Sequence, residues 1–236
     1  GVDAVVIGSE MVGCSGIYLE GQEFIFAEAM AYVAFEVRRL LGPEVKIGYA
    51  ADWSEFHSYR PNDGSGDVWF HLDYLWSDEN IDFIGIDNYM PLSDWRDHED
   101  HADHADHGHG VQSIHDLDYL KAGIESGEYY DYYYASDEDR VNQIRTPIID
   151  GAHGEDWIWR NKDVRGWWEN PHHNRPGGVR SSEATDWVPK SKPIWFTEFG
   201  CPAIDKGTNQ PNVFYDPKSS ESHVPYFSSG VRDDLI

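Results

Sequence analysis

Cysteine is nearly absent from this chain: Cys14 and Cys201 are the only two among 236 residues. No CxxC spacing exists, which excludes a zinc knuckle and a dithiol redox motif. Each cysteine follows a glutamate of interest by a few residues. Two buried thiols are the expectation, with a disulfide as the alternative. Cations are scarce as well, with 18 Lys and Arg against 43 Asp and Glu and a formal net charge of −25. With no basic segment set apart, such a chain cannot present a groove that tracks phosphates, so nucleic acid is excluded as the main partner. No apolar run approaches the roughly 20 residues that span a bilayer, and no signal peptide is visible. There is also no initiating Met and no lead-in, since Gly1 to Gly8 already reads as a buried strand. The expectation is a piece of a longer protein.

Aromatic and apolar residues are plentiful. Forty per cent of the chain is hydrophobic, with 10 Trp and 14 Tyr. That suffices for a buried core and argues against disorder. Flat amphipathic rings also suit the apolar faces of sugars.

Val2 to Gly8 (VDAVVIG) is a short β-branched run, as expected of a parallel strand covered on both faces. From Phe24 to Leu41 the apolar residues Phe26, Met30, Val33, Val37, Leu40 and Leu41 mark one face of a helix, stopped by Gly42-Pro43. Further strands are predicted at Val45 to Ala50, Ile81 to Asp87 and Pro193 to Thr197, and helices at Val68 to Trp76, Asp116 to Ser126 and Ser136 to Ile144. Ser136 with Asp139 has the capping-box spacing. Strands alternating with helices imply βαβ units and a parallel sheet, hence an α/β fold. Residues 146–192 form a long insertion rich in Trp, Gly, Pro, His and Asn, and an unpatterned stretch of that length inside a compact domain is usually functional. The tract Asp97 to Gly110 (DHEDHADHADHGHG) alternates imidazoles with carboxylates, a chemistry that suits divalent metals. A near-repeat specifies no rigid coordination geometry, so the tract reads as a solvated insertion. No metal or other cofactor is assigned.

Catalytic groups of a parallel barrel sit just past the C-terminal ends of its strands. Four strand ends here carry polar groups: Ser9-Glu10, Asp52-Trp53-Ser54-Glu55, Asp87-Asn88-Tyr89 and Thr197-Glu198. Glycosidic bonds are cleaved by two carboxyl groups flanking the anomeric carbon. Glu10 and Glu198, three strand steps apart, are the candidate pair. Asp52, Trp53, Asp87, Asn88, Trp195, Trp157 and Trp159 are candidate sugar contacts. Trp167 and Trp168 are further stacking candidates, and His153, His172 and His173 are polar loop residues that could orient substrate.

The segments GSEM, YAADWSEF, GIDNYMPLSDW and PIWFTEFG resemble strands four to seven of clan-A glycoside hydrolases. More closely, GIDNYMPLSDWRD, GWWENPHHNRPGGVR, SKPIWFTEFGCPA and NQPNVF…DPKSSES resemble the glycoside-hydrolase TIM-barrel-like domain of gene transfer agent and phage tail host-specificity proteins. The resemblance covers nearly all 236 residues. It implies a (β/α)₈ TIM barrel-like fold of which this chain covers strands four to seven, a partial barrel. It also implies Glu10 as general acid/base, Glu198 as nucleophile, Tyr89 as a donor to the nucleophile, and retention of configuration. Ser9 stands where many clan-A enzymes carry Asn. The implied setting is a particle tail exposed outside the cell and made in the bacterial cytoplasm. The partners would be a polysaccharide, other tail proteins and the rest of a longer chain. A non-catalytic glycan-binding or structural tail module on the same scaffold is the alternative.

Overall fold

A computed structural model describes residues 1–19, 24–96, 103, 111, 113–203 and 206–212. The histidine tract therefore lies outside the described residues, apart from Asp103. Two compact units are distinguished: Gly1–Asn88 with Val164–Phe199, and Tyr89–Asp163 with the chain from Gly200 on.

The first unit is α/β. Strand β1 (Ala4–Ser9) is followed by a short helix, α1 (Val12–Ser15), and a long one, α2 (Ile25–Leu41). Then come β2 (Lys46–Asp52), α3 (Asp73–Ser77) and β3 (Phe83–Asn88). Gly42, at φ 83°, ends α2 in a backbone region that favours glycine. All four long strands are parallel, in the order β1-β2-β3-β6, where β6 denotes Ile194–Phe199.

Alternation along β2 and β3 sends side chains to two faces. Tyr49 meets Phe26 of α2 and Trp76 of α3 at ring-centroid distances of 5.7 and 6.0 Å. Ile47, Ile84 and Ile86 are fully buried. The opposite face carries small residues where large neighbours need space. A Cβ on Gly48 would stand 2.4 Å from the ring of Phe83, and Phe83 in turn stacks on Trp195 at 4.0 Å. At the N-terminal end of the sheet Arg38 of α2 donates to the carbonyls of Val45 and Asn80 and pairs with Asp82. Asp82 also accepts from the backbone N–H of Ile47 at 2.8 Å.

Val68 to Trp76 departs from the predicted helix. Val68 and Trp69 form β-bridges to Arg175 and Tyr59, and only Asp73–Ser77 is helical. The Trp-rich insertion supplies the reason. Its part in this unit packs Trp167, His172 and Trp187 beside Phe70, with His172 stacked on Phe70 at 4.2 Å, so a distant segment takes the backbone partners that a local helix would have used. Trp167 and Trp187 are buried and His172 is fully so, and Asp73 accepts from His172 Nδ1 at 2.9 Å. Trp167 and His172 are thus core residues rather than sugar platforms or substrate-orienting groups.

The second unit holds α4 (Leu117–Ala122), β4 (Tyr132–Tyr133), α5 (Asp137–Val141) and β5 (Thr146–Pro147), with β4 and β5 antiparallel. Asp116 caps α4 by accepting from Asp118 and Tyr119, and Ser136 caps α5 by accepting from Asp139, as its capping-box spacing predicts. Both helices are shorter than expected. Cys14 and Cys201 are free and exposed, which corrects the expectation of buried thiols. Among the described residues no helix is long and apolar enough to cross a membrane.

Candidate active site

The site follows from strand register. Ala50 pairs with Gly85 and Asp52 with Asp87 across β2 and β3. Asp87 pairs in turn with Glu198 across β3 and β6, after an irregularity that re-aims the end of β6. Three carboxylates thus stand at one level at the C-terminal ends of adjacent strands. Glu10 joins them from the residue after β1, anchored by its N–H to the carbonyl of Ala50 at 2.8 Å.

Side chains on a flat sheet stay about 4.8 Å apart per strand step, which would hold β1 and β6 roughly 14 Å apart. Yet Glu10, Asp87 and Glu198 each bring one carboxylate oxygen within 4.8 Å of the others. That convergence requires the sheet to curl with these side chains on its concave face, as the wall of a barrel does.

Asp87 is fully buried and is the structural centre of the cluster. It accepts from Ser9 Oγ at 3.0 Å and from Thr197 Oγ1 at 2.6 Å, so it ties the residues preceding both glutamates to one carboxylate. Ser9 therefore serves Asp87. Desolvation pushes the Glu10 carboxyl above its ordinary value, and repulsion from Asp52, Asp87, Glu198 and Glu55 pushes the same way. A carboxyl so biased holds a proton to higher pH, as a general acid must. Glu10 also has φ 51°, in the left-handed region that is rare for a residue other than glycine.

A second layer braces the loop beyond Glu10. The backbone N–H of Met11 donates to Tyr49 Oη at 2.9 Å, and Tyr49 donates to Glu55 Oε1 at 2.9 Å. The other oxygen of Glu55 accepts from the N–H of Asp52 at 3.2 Å. Burial pushes the Glu55 carboxyl and the Tyr49 phenol up. Sequence reasoning gave no role to Ser9, Thr197, Tyr49 or Glu55. The only available signal was their adjacency to strand-end carboxylates.

Other predicted sugar contacts fall in different places. Asp52 accepts from Ser54 through both N–H and hydroxyl, which shapes its own loop. Trp53 and Asn88 are half-buried beside the strand ends. Trp195 pairs at the level of Gly85, below the carboxylates, with its ring against Phe83. Tyr89 directly follows β3 and opens the second unit, half-buried. Trp157 and Trp159 lie on a 3₁₀ turn of that unit, Trp157 buried and Trp159 partly so. Trp168 belongs to the first unit and donates from its indole to the carbonyl of Lys192 at 2.7 Å.

Among the described residues, Glu10, Asp87 and Glu198 are the acidic group close enough to share a cation. Hard divalent ions take such oxygens, so metal binding is a competing use of the same atoms. No curated protein matches the chain significantly. The curled parallel sheet, with its carboxylates gathered at the C-terminal strand ends, accords with a family match over the whole chain: the model described as GTA TIM-barrel-like domain covers residues 1–236, and the protein belongs to that family.

Proposed function

We propose that this domain is a retaining glycoside hydrolase acting on a bacterial surface or cell-wall polysaccharide. The observation that carries the reading is the approach of Glu10 and Glu198, whose nearest carboxylate oxygens lie within 4.8 Å. Retaining enzymes hold their carboxyl groups about 5–5.5 Å apart, whereas inverting ones leave roughly 6.5–9.5 Å for the attacking water. In this reading Glu10 protonates the leaving oxygen and Glu198 attacks the anomeric carbon. Water then hydrolyses the glycosyl–enzyme bond, with Glu10 as base. Asp87 is a positioning residue. Trp53, Asp52, Asn88 and Trp195 supply sugar contacts. The setting is a tail-like particle exposed outside the cell, where the domain meets other tail proteins and the remainder of a longer chain.

The test is release of reducing ends from a panel of bacterial envelope polysaccharides, with the product anomer read by proton NMR. The expected result is turnover with retained configuration, lost in Glu198→Gln. Inverted product, or turnover indifferent to Glu198→Gln, overturns the assignment. Loss of turnover on chelation, restored by a divalent ion, would instead assign the three carboxylates to a metal.

A second reading, a non-catalytic glycan-binding or structural tail module, draws on the exposed apolar side chains of β6. Phe199 is 80% and Phe196 51% exposed, a surface of the kind that protein covers. Saturable glycan binding without turnover, unchanged in Glu198→Gln, would favour it.

A further inference from the structure

The second unit contains a cavity of about 320 Å³ formed wholly from its own residues, with Leu92, Ser126, Gly127, Asp131, Tyr132 and Lys162 in its wall. That volume lies at the small end of the roughly 300–1,000 Å³ range of small-molecule sites.

Lys162 is the unusual group in this wall. It is 4% exposed, and its Nζ makes one hydrogen bond, to the carbonyl of Ser126 at 2.8 Å. Nζ stands at the cavity lining, 4.0 Å from where a Cβ on Gly127 would be. An ammonium has three donors. Two of them therefore lack a protein acceptor among the described residues. Burial pushes the amine down to about 8, so it remains largely protonated at neutral pH. A buried cation with unfilled donors is costly, and an oxygen-bearing occupant would relieve that cost.

The surrounding charges select the kind of oxygen. Asp94 pairs with Arg96 at 2.8 Å and Arg145 at 3.1 Å, Arg145 also pairs with Asp103, and Glu128 pairs with Arg140 at 2.5 Å. Asp131 accepts from the N–H of Gly127 at 2.8 Å through one oxygen, and its other oxygen carries no bond among the described residues. Asp94, Asp103, Glu128 and Asp131 thus balance Arg96, Arg140, Arg145 and Lys162. Asp131 stands at the exposed rim. An anion would face four carboxylates in the cavity wall against two cations, Arg145 and Lys162, and a hydrocarbon would leave the ammonium donors stranded. A hydroxyl group can accept from Lys162 and donate to Asp131.

We propose that this cavity binds a neutral, hydroxyl-rich molecule of monosaccharide size, anchored on Lys162 and Asp131. The site does not depend on the chemistry of Glu10 and Glu198, so its failure and theirs are separable. The experiment uses the intact chain carrying Glu198→Gln, so that no substrate is consumed. It is titrated with glucose, galactose and N-acetylglucosamine, and with glucuronate and inorganic phosphate as charged controls. Binding is read from the backbone amide shifts of Ser126, Gly127 and Lys162.

The expected result is saturable binding of at least one neutral sugar, with Kd on the order of 1 mM for so small a ligand. The shifts should centre on those three amides, and Lys162→Met should weaken binding by at least about tenfold. Should Lys162→Met not fold, Asp131→Asn and the shift map decide. No saturable binding by any neutral sugar overturns the proposal. So do shifts centred elsewhere, undiminished binding in both variants, or tighter binding of glucuronate or phosphate.

Discussion

His71 makes the first unit acid-sensitive in a way that can be calculated. Its ring is buried among Phe24 and Tyr59, at centroid distances of 5.7 and 6.0 Å, and its Nδ1 has no hydrogen-bond partner. Burial pushes the imidazole down to about 3, against an ordinary value of 6.5, with a backbone contact at Trp69 offsetting a little. The folded state therefore keeps the ring neutral, while the unfolded chain takes a proton as pH falls below about 6.5. Because the unfolded state binds more protons over that window, stability is full above pH 6.5 and is lost progressively toward pH 3. At pH 5 the unfolded histidine lies about 1.5 pH units below its pKa, which at 1.36 kcal/mol per unit costs about 2 kcal/mol. Urea denaturation of the wild type and of His71→Phe, each at pH 7 and pH 5, isolates this contribution. Changes in carboxylate titration common to both proteins cancel in the difference, as does any packing cost of the variant that does not depend on pH. The wild type should lose about 2 kcal/mol more than His71→Phe between the two pH values. Equal losses would refute the reasoning, because they would mean that the ring is protonated alike in both states.

Two further outcomes follow from the sheet. Asp87→Asn removes a negative charge that holds the Glu10 carboxyl up, so the Glu10 titration followed by carbon NMR should move to lower pH; an unmoved or raised midpoint counts against the electrostatic account. Gly48→Val places a branched side chain where the ring of Phe83 already lies, and overpacking of this kind costs about 1–3 kcal/mol. Thermal unfolding should show that loss in Gly48→Val and a smaller effect when Phe83→Ala makes room.

What could be read from the sequence followed the range of the forces involved. The four long strands were legible because β-branched runs between polar strand ends carry their signal locally, and each lies within a few residues of its expected place. Predicted Val45 to Ala50 became Lys46–Asp52, and predicted Pro193 to Thr197 became Ile194–Phe199. Helix α2 was legible as a seventeen-residue helix, but its buried face is Phe26, Ala27, Met30, Ala31 and Ala34, whereas Val33, Leu40 and Leu41 of the expected face are exposed. The helix expected at Val68 to Trp76 failed because its partners lie far along the chain. Phe70 donates its N–H to Asn174, 104 residues away, and Asp73 accepts from Thr185, 112 residues away. No periodicity within the segment encodes such bonds.

The same distinction runs through the candidate site. Glu10 and Glu198 could be singled out because a strand end is a local feature and two carboxylates are a chemical one. What makes them a pair is not local. Ser9 reaches Asp87 across 78 residues and Thr197 reaches it across 110, and one buried charge thereby fixes the backbone on which both glutamates stand. Holding that charge in place through two hydroxyl groups, rather than through a cation, leaves its field acting on Glu10. Replacing either hydroxyl by an apolar group would leave an oxygen of a fully buried carboxylate short of a donor, a loss on the order of 1–3 kcal/mol. The cost would fall first on the alignment of the two glutamates, so a Ser9→Ala or Thr197→Val chain that still folds should lose more turnover than binding.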